Sequence, residues 1–166
     1  MKLIICNKLP RILKNKKKLE KSLKVKIFNR GKEVTINGSP EAEYTAEKVI
    51  DALEFGFPYS TALLIKEENC VLEILNIKDH TTRKDLERVR ARIIGKKGKT
   101  LSTLSNLTRC NFELKDNYIG IIGNPEFIHN AEEALILIIK GSKQGNVYAH
   151  LEKHQVKEPD DLGLKR

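Results

Sequence analysis

The segment Arg92-Ile93-Ile94-Gly95-Lys96-Lys97-Gly98-Lys99-Thr100 joins two amphipathic stretches through a pair of glycines that enclose two lysines. Upstream, Asp85 to Ile94 carries Leu86, Val89, Ile93 and Ile94 at helical spacing, and downstream Lys99 to Leu107 forms a second short helix. Glycine permits positive φ and leaves no side chain between the main chain and a ligand, so Gly95 and Gly98 allow close approach to a nucleic-acid backbone. The helix that follows offers free N–H groups to phosphates, and Lys96 and Lys97 add charge. Beyond it, Cys110, Phe112 and Leu114, then Ile119 and Ile121, alternate as half-buried strands do, with Asp116-Asn117 as the turn. Asn124-Pro125-Glu126 opens a long helix as N-cap, first-position proline and first-turn acid, and Gly141 stops it. With a leading strand from Val71 to Ile74, the order is β-α-α-β-β-α.

The same order occurs once before. Ile12-Leu13, a basic loop, Leu19 to Leu23, the strands at Val25/Ile27 and Val34/Ile36, and Gly38-Ser39-Pro40-Glu41 repeat the later features in sequence. From Gly38 and Gly123 onward the offset is a constant 85, pairing Pro40 with Pro125, Ala46 with Ala131 and Gly56 with Gly141. Upstream the basic segments align at an offset of 81, so the second copy carries about four extra residues. The fold expected is α+β, in two units that we bound at 1–66 and 67–153, followed by a polar tail at 154–166. A chain of 166 residues accommodates two such units.

Charge is distributed unevenly. The net charge is +9, but residues 1–32 hold 12 Lys/Arg against Glu20 alone, and residues 83–109 hold nine against Asp85 and Glu87. The rest of the chain has 10 bases against 19 acids, so two basic islands stand in an acidic body, the footprint of a polyanion ligand. No apolar run approaches the roughly 20 residues of a membrane span. Three scattered cysteines, Cys6, Cys70 and Cys110, write neither a disulfide framework nor a zinc knuckle. A cytoplasmic, reduced protein without membrane contact, metal or cofactor is expected.

In the second unit, the Gly95–Gly98 loop at the junction of two helices resembles the clamp of a type I KH domain, which holds about four nucleotides of single-stranded nucleic acid. The run from Arg92 to Thr100 is also similar to one tandem-KH family, as are Ile121-Ile122-Gly123, Ile77-Lys78-Asp79-His80 and Asn146-Val147-Tyr148-Ala149-His150-Leu151-Glu152. That family is the small-subunit rRNA-processing factor called Dim-two or "partner of Nob", and the similarity covers about residues 1–153. The resemblance implies binding near the 3′ end of the small-subunit rRNA precursor, partnership with the maturation endonuclease of the Nob family, an archaeal type and a monomer. It also implies that a first unit without the glycine pair serves protein contacts.

The candidate RNA-binding residues are Arg88, Arg92 and Lys99 on phosphates, Gly95, Lys96, Lys97 and Gly98 in the clamp, and Ile94 and Phe112 against bases, with Leu114 assigned to the core. The first unit has Lys14-Asn15-Lys16-Lys17 in place of the clamp; side chains there block close contact, leaving Lys14, Lys16, Lys17 and Lys18 as secondary phosphate contacts. Glu43, Glu47, Asp51 and Glu54 share one helix face, either solvated or a docking strip for a basic partner. Gly98-Lys99-Thr100 matches the end of a nucleotide-binding P-loop, but position 93 is Ile where that motif needs Gly, and a helix replaces the preceding strand. His150 and His154 stand at i, i+4 without further ligands, and are expected to be solvated. No catalytic constellation is present. The alternative to an RNA-binding protein is a KH-type interaction adaptor of a translation or RNA-decay complex, with RNA secondary.

Overall fold

The computed structural model describes residues 1–154, so the expected tail from Gln155 onward lies outside the described residues. Packing divides the chain into one compact unit from Met1 to Leu72 and another from Glu73 onward.

The first unit contains β1 (Lys2–Ile5), α1 (Leu9–Lys14), α2 (Lys16–Leu23), β2 (Lys26–Arg30), β3 (Glu33–Asn37), α3 (Pro40–Phe55), α4 (Tyr59–Ala62) and α5 (Leu64–Glu67). Its sheet is antiparallel in the order β1-β3-β2, with Ile27 opposite Ile36. Strand alternation puts Ile27, Val34 and Ile36 on the buried face, where Val49, Ile50 and Leu53 of α3 are also buried. Each such side chain contributes about 1.5–3 kcal/mol by leaving water. The opposite face leaves Leu3, Ile5 and Phe28 exposed. Ser39 caps α3 by accepting from Ala42 N–H at 3.2 Å, Pro40 follows it, and Gly56 ends the helix, as the sequence predicts.

Two expectations for this unit are corrected. The basic segment is not a loop, because α1 and α2 meet through Asn15 alone, whose φ is −107° and whose N–H bonds back to the α1 carbonyls. Without glycine, no residue there turns left-handed, and Lys16, Lys17 and Lys18 become the first turn of α2.

The acidic row of α3 is neither solvated nor free for a partner. Glu43 is buried, accepts from Gly38 N–H at 3.2 Å and pairs with the Met1 ammonium at 2.6 Å. Glu47 pairs with Lys2 Nζ at 2.7 Å, and Glu54 accepts from Asn7 N–H. Asp51 is half-buried, and burial raises its carboxyl above the ordinary value. The row therefore holds β1 and the chain that follows it. Hydrogen bonding from the Met1 ammonium, then from Gly38, keeps the Glu43 carboxyl below its ordinary 4.5 against the opposing effect of burial. A carboxyl with a depressed folded-state pKa stabilises the fold above its unfolded value and loses that contribution as pH falls through the folded one. Thermal melts should therefore decline below pH 4.5, and Glu43→Gln should decline less steeply; parallel curves would remove Glu43 from the acid response.

The second unit contains β4 (Val71–Asn76), a 3-10 turn (Ile77–His80), α6 (Leu86–Ile94), α7 (Lys99–Thr108), β5 (Asn111–Lys115), β6 (Tyr118–Gly123), α8 (Pro125–Ile139) and α9 (Gln144–Lys153). β4 begins just ahead of the division by packing. The sheet order is β4-β6-β5, the same arrangement as in the first unit. Asp85 caps α6 through Arg88 N–H at 3.3 Å, and Asn124 caps α8 through Glu126 N–H at 3.1 Å. Ile119, Ile121, Val89, Ile93, Leu104, Leu135 and Ile138 are buried in its core. The extra length of the second copy goes partly into α7, ten residues against eight in α2, and β6, six against five in β3. Among the described residues no helix is long and apolar enough to cross a membrane.

Candidate nucleic-acid interface

The loop between α6 and α7 needs three left-handed residues in four. Gly95 has φ 76° and ψ 174°, Lys97 φ 56° and ψ 30°, and Gly98 φ 73° and ψ 11°. The Gly95 conformation is essentially reserved for glycine, and a Cβ there would lie 2.6 Å from Thr100 Cβ and 2.7 Å from its backbone nitrogen. Gly98 has open space around it, so it is selected by φ alone. Lys97 adopts a left-handed conformation that disfavours side chains by about 1–2 kcal/mol, strain of the kind concentrated at binding sites. A helical residue followed by a left-handed one turns successive N–H groups into one concavity suited to an anion. Lys96, Lys97 and Lys99 are all exposed around it, and α7 begins without a side-chain cap.

A groove of about 580 Å³ runs from this end of α6 along β5. Asp85 at the cap of α6 and Glu87, Arg88, Arg90, Ala91 and Ile94 of α6 line it, Leu114 lines it from β5, and Asp116 stands at the hairpin turn. Arg90 donates to Asp116 O at 3.2 Å, tying the helix to the turn. The groove thus joins an apolar wall of Ala91, Ile94 and Leu114 to a rim of mixed charge, and the strongly cationic element beside it is the lysine loop beyond Ile94. Bases rest on such a wall while phosphates follow the cations.

The structure places Arg88 and Ile94 in the lining of the groove and Gly95, Lys96, Lys97, Gly98 and Lys99 in the loop that follows, and sets two other candidates apart. Arg92 is half-buried and donates through Nη2 to Ser142 O at 2.6 Å, so its guanidinium is committed to the turn after α8. Leu114 rather than Phe112 reaches the groove. Both lie on the helix-facing side of β5, but Leu114 borders the groove, whereas Phe112 sits farther from the hairpin turn, opposite the buried Ile121, and does not line it. Arg90, Ala91, Leu114 and Thr100 were not among the candidates. Helical spacing could have found the first two, since Glu87, Arg90, Ala91 and Ile94 share the face opposite Val89 and Ile93. Thr100 is buried against Gly95 and receives Gln144 Nε2 at 3.4 Å; no local signal marks that role. In the first unit, Lys18 lies over the Tyr59 ring at 5.9 Å and Lys14 is exposed.

A family profile described as the eukaryotic type KH domain (KH-domain type I) matches residues 71–156. A KH domain-containing protein of Methanocaldococcus jannaschii is 31% identical over 149 residues, 86% of this chain and 66% of its own length. The pre-rRNA-processing protein PNO1 of Candida albicans is 36% identical over 105 residues, 61% of this chain and 38% of its own length. The chain thus spans just under two thirds of the first relative and less than half of the second. The crystal structure of Dim2p from Pyrococcus horikoshii superposes with a TM-score of 0.83 at 30% identity, covering 92% of this chain and 98% of that one. A structure of the a/eIF2alpha-aDim2p-rRNA complex from the same organism superposes at 0.80 with 31% identity, covering 92% of each chain. With its glycine-bounded loop between α6 and α7 and the groove beside β5, the chain belongs to the type I KH-domain family, in its Dim2/PNO1-like branch.

Proposed function

We propose that this protein binds single-stranded RNA in small-subunit rRNA processing, with the precursor's 3′ end as its target and the maturation endonuclease of the Nob family as its partner. The observation that carries the reading is the loop and the groove beside it: Gly95, Lys97 and Gly98 in left-handed conformations, three exposed lysines, and Ile94 and Leu114 along the adjoining groove. Similarity along nearly the whole chain to a Dim2p solved with rRNA supports the choice of RNA. The PNO1 relatives support pre-rRNA processing. The first unit is, on this reading, a second KH copy without a clamp, the two copies spanning 1–66 and 67–153, and the protein acts as a cytoplasmic monomer without catalytic activity of its own.

Crosslinking in cells followed by sequencing of the attached RNA tests the assignment. Recovery of small-subunit rRNA 3′ ends is the expected result, and scattered messenger RNA would overturn it. The adaptor reading has one observation in its favour, the exposed Leu3, Ile5 and Phe28 on the open sheet face of the first unit. It takes precedence only if the purified protein fails to bind single-stranded RNA across a salt series.

Arg88 and Arg92 should separate cleanly. Arg88→Ala removes a phosphate contact and lowers the slope of log affinity against log salt by about 0.7. Arg92→Ala leaves that slope unchanged and instead destabilises the fold by about 1.5–3 kcal/mol, because it breaks a charged hydrogen bond to Ser142 O. RNA titrations at several salt concentrations and urea unfolding of both variants check this. A changed slope for Arg92→Ala would return Arg92 to the phosphate contacts.

A further inference from the structure

The first unit holds a cleft that its missing clamp does not explain. About 440 Å³ in volume, it lies between α2 and the start of β2. Lys17, Lys21, Lys24 and Lys26 line it, with Glu20 and Val25 between them. Lys17, Lys21 and Lys24 recur at i, i+4 and i+7, one stripe whose members are separated by about 6 Å and about 4.5 Å along the helix axis at 1.5 Å per residue. Lys24 ends α2 in a left-handed conformation with φ 55°, which turns the chain into β2 and brings Lys26 to the same cleft.

These four cations face one acid, Glu20, which leaves the cleft with a net positive charge. Among the described residues none of them pairs with a carboxylate. Glu20, the acid in the cleft, has Oε2 engaged by Ile27 N–H at 3.1 Å. Clustered like charges oppose the compact state, and a polyanion that releases its counterions on binding relieves them. No aromatic side chain lines the cleft to stack a base, and Val25 is its apolar contributor. The site also differs in construction from the groove of the second unit. That groove uses the first helix of its pair, α6, whereas this cleft uses the second helix of its own pair, α2.

We propose that the α2–β2 cleft is a second RNA-binding site, one that holds backbone phosphates without reading bases. It rests on the reading that the chain binds RNA, and it extends the contribution of the first unit from the α1–α2 junction along α2 to Lys24 and the start of β2. Short RNA that fills only the clamp does not need the cleft; a longer strand engages both.

The test compares wild type with Lys17→Gln/Lys21→Gln/Lys26→Gln in the full chain, leaving Lys24 to hold its left-handed turn. Affinity is measured for a single-stranded RNA of about four nucleotides, the length a KH clamp holds, and for one of about 30 nucleotides. The variant should bind the short RNA as wild type does. It should bind the long RNA about tenfold to a hundredfold more weakly at 0.1 M salt, with a salt slope lower by about 2, which is three counterions at 0.7 each. Lys→Arg at the same three positions should restore the long-RNA affinity, since charge rather than side-chain shape is required. Unchanged long-RNA affinity and slope, with short-RNA binding intact, would overturn the cleft while leaving the clamp in place. Equal weakening for both RNAs, or failure of the arginine variant to restore binding, would also overturn it. Failure of wild type to bind either RNA would instead remove the RNA reading on which the cleft depends.

Discussion

Gly95→Ala should destabilise the second unit by about 3 kcal/mol and abolish RNA capture, a larger effect than any other single substitution in the loop. At φ 76° and ψ 174° the residue occupies backbone space closed to side chains, and the added Cβ would fall on Thr100. That neighbour cannot yield, because one of the atoms in the way is the backbone nitrogen of Thr100 in the first turn of α7. Adding Thr100→Ala removes the hydroxyl but not the nitrogen, so it should not rescue the variant. Gly98→Ala provides the comparison: it has the left-handed φ but open space, and should cost about 1–2 kcal/mol. Urea unfolding and RNA titration of the three variants check the ranking. Equal costs at Gly95 and Gly98 would mean that φ alone, and not the approach to Thr100, makes Gly95 necessary.

Lys96→Asp/Lys97→Asp should reduce RNA affinity by about 100- to 1,000-fold at 0.1 M salt while leaving the fold within about 0.5 kcal/mol of wild type. Two lost phosphate contacts account for roughly 25-fold at a slope of 0.7 each, and two introduced negative charges facing phosphates account for the remainder. Both lysines are exposed, so no buried partner is left behind. Aspartate also tolerates the left-handed backbone at position 97 better than most residues, so the substitution does not add strain there. Binding by fluorescence anisotropy and stability by thermal melting report the two quantities separately. An affinity close to wild type would show that phosphates do not pass over this loop.

The six elements that each unit shares were legible in the sequence because the rules that place them are local, whereas α4, α5 and the 3-10 turn at Ile77–His80 were not anticipated. Ser39 and Asn124 as caps, Pro40 and Pro125 at the first helical position, and the alternation of Ile27, Val34 and Ile36 concern residues only a few positions apart. The Gly95–Gly98 pair was legible for the same reason, since positive φ is a property of single residues. The KH resemblance rested on this loop and on the order of elements around it, and the comparisons with known proteins bear it out.

Helical periodicity specifies which side chains share a face, but not what that face meets. Glu43, Glu47, Asp51 and Glu54 do share one side of α3, yet β1 and the residues beside it, distant in sequence, decided that the side closes on Met1, Lys2 and Asn7. Arg92 lies one turn after Arg88, but the approach of the α8–α9 turn, 50 residues away in sequence, gave it Ser142 O instead of solvent. The two-residue alternation of β5 placed Phe112 and Leu114 on one side together, and only the position of α6 left Leu114 at the groove. The lysines of the first unit showed as a basic island; the turn at Lys24 made four of them one cleft. Local chemistry in the sequence thus determined the helices, strands, caps and clamp. The tertiary structure alone decided which charged side chains are spent on holding the fold and which remain for a ligand, because that division depends on partners brought together from across the chain.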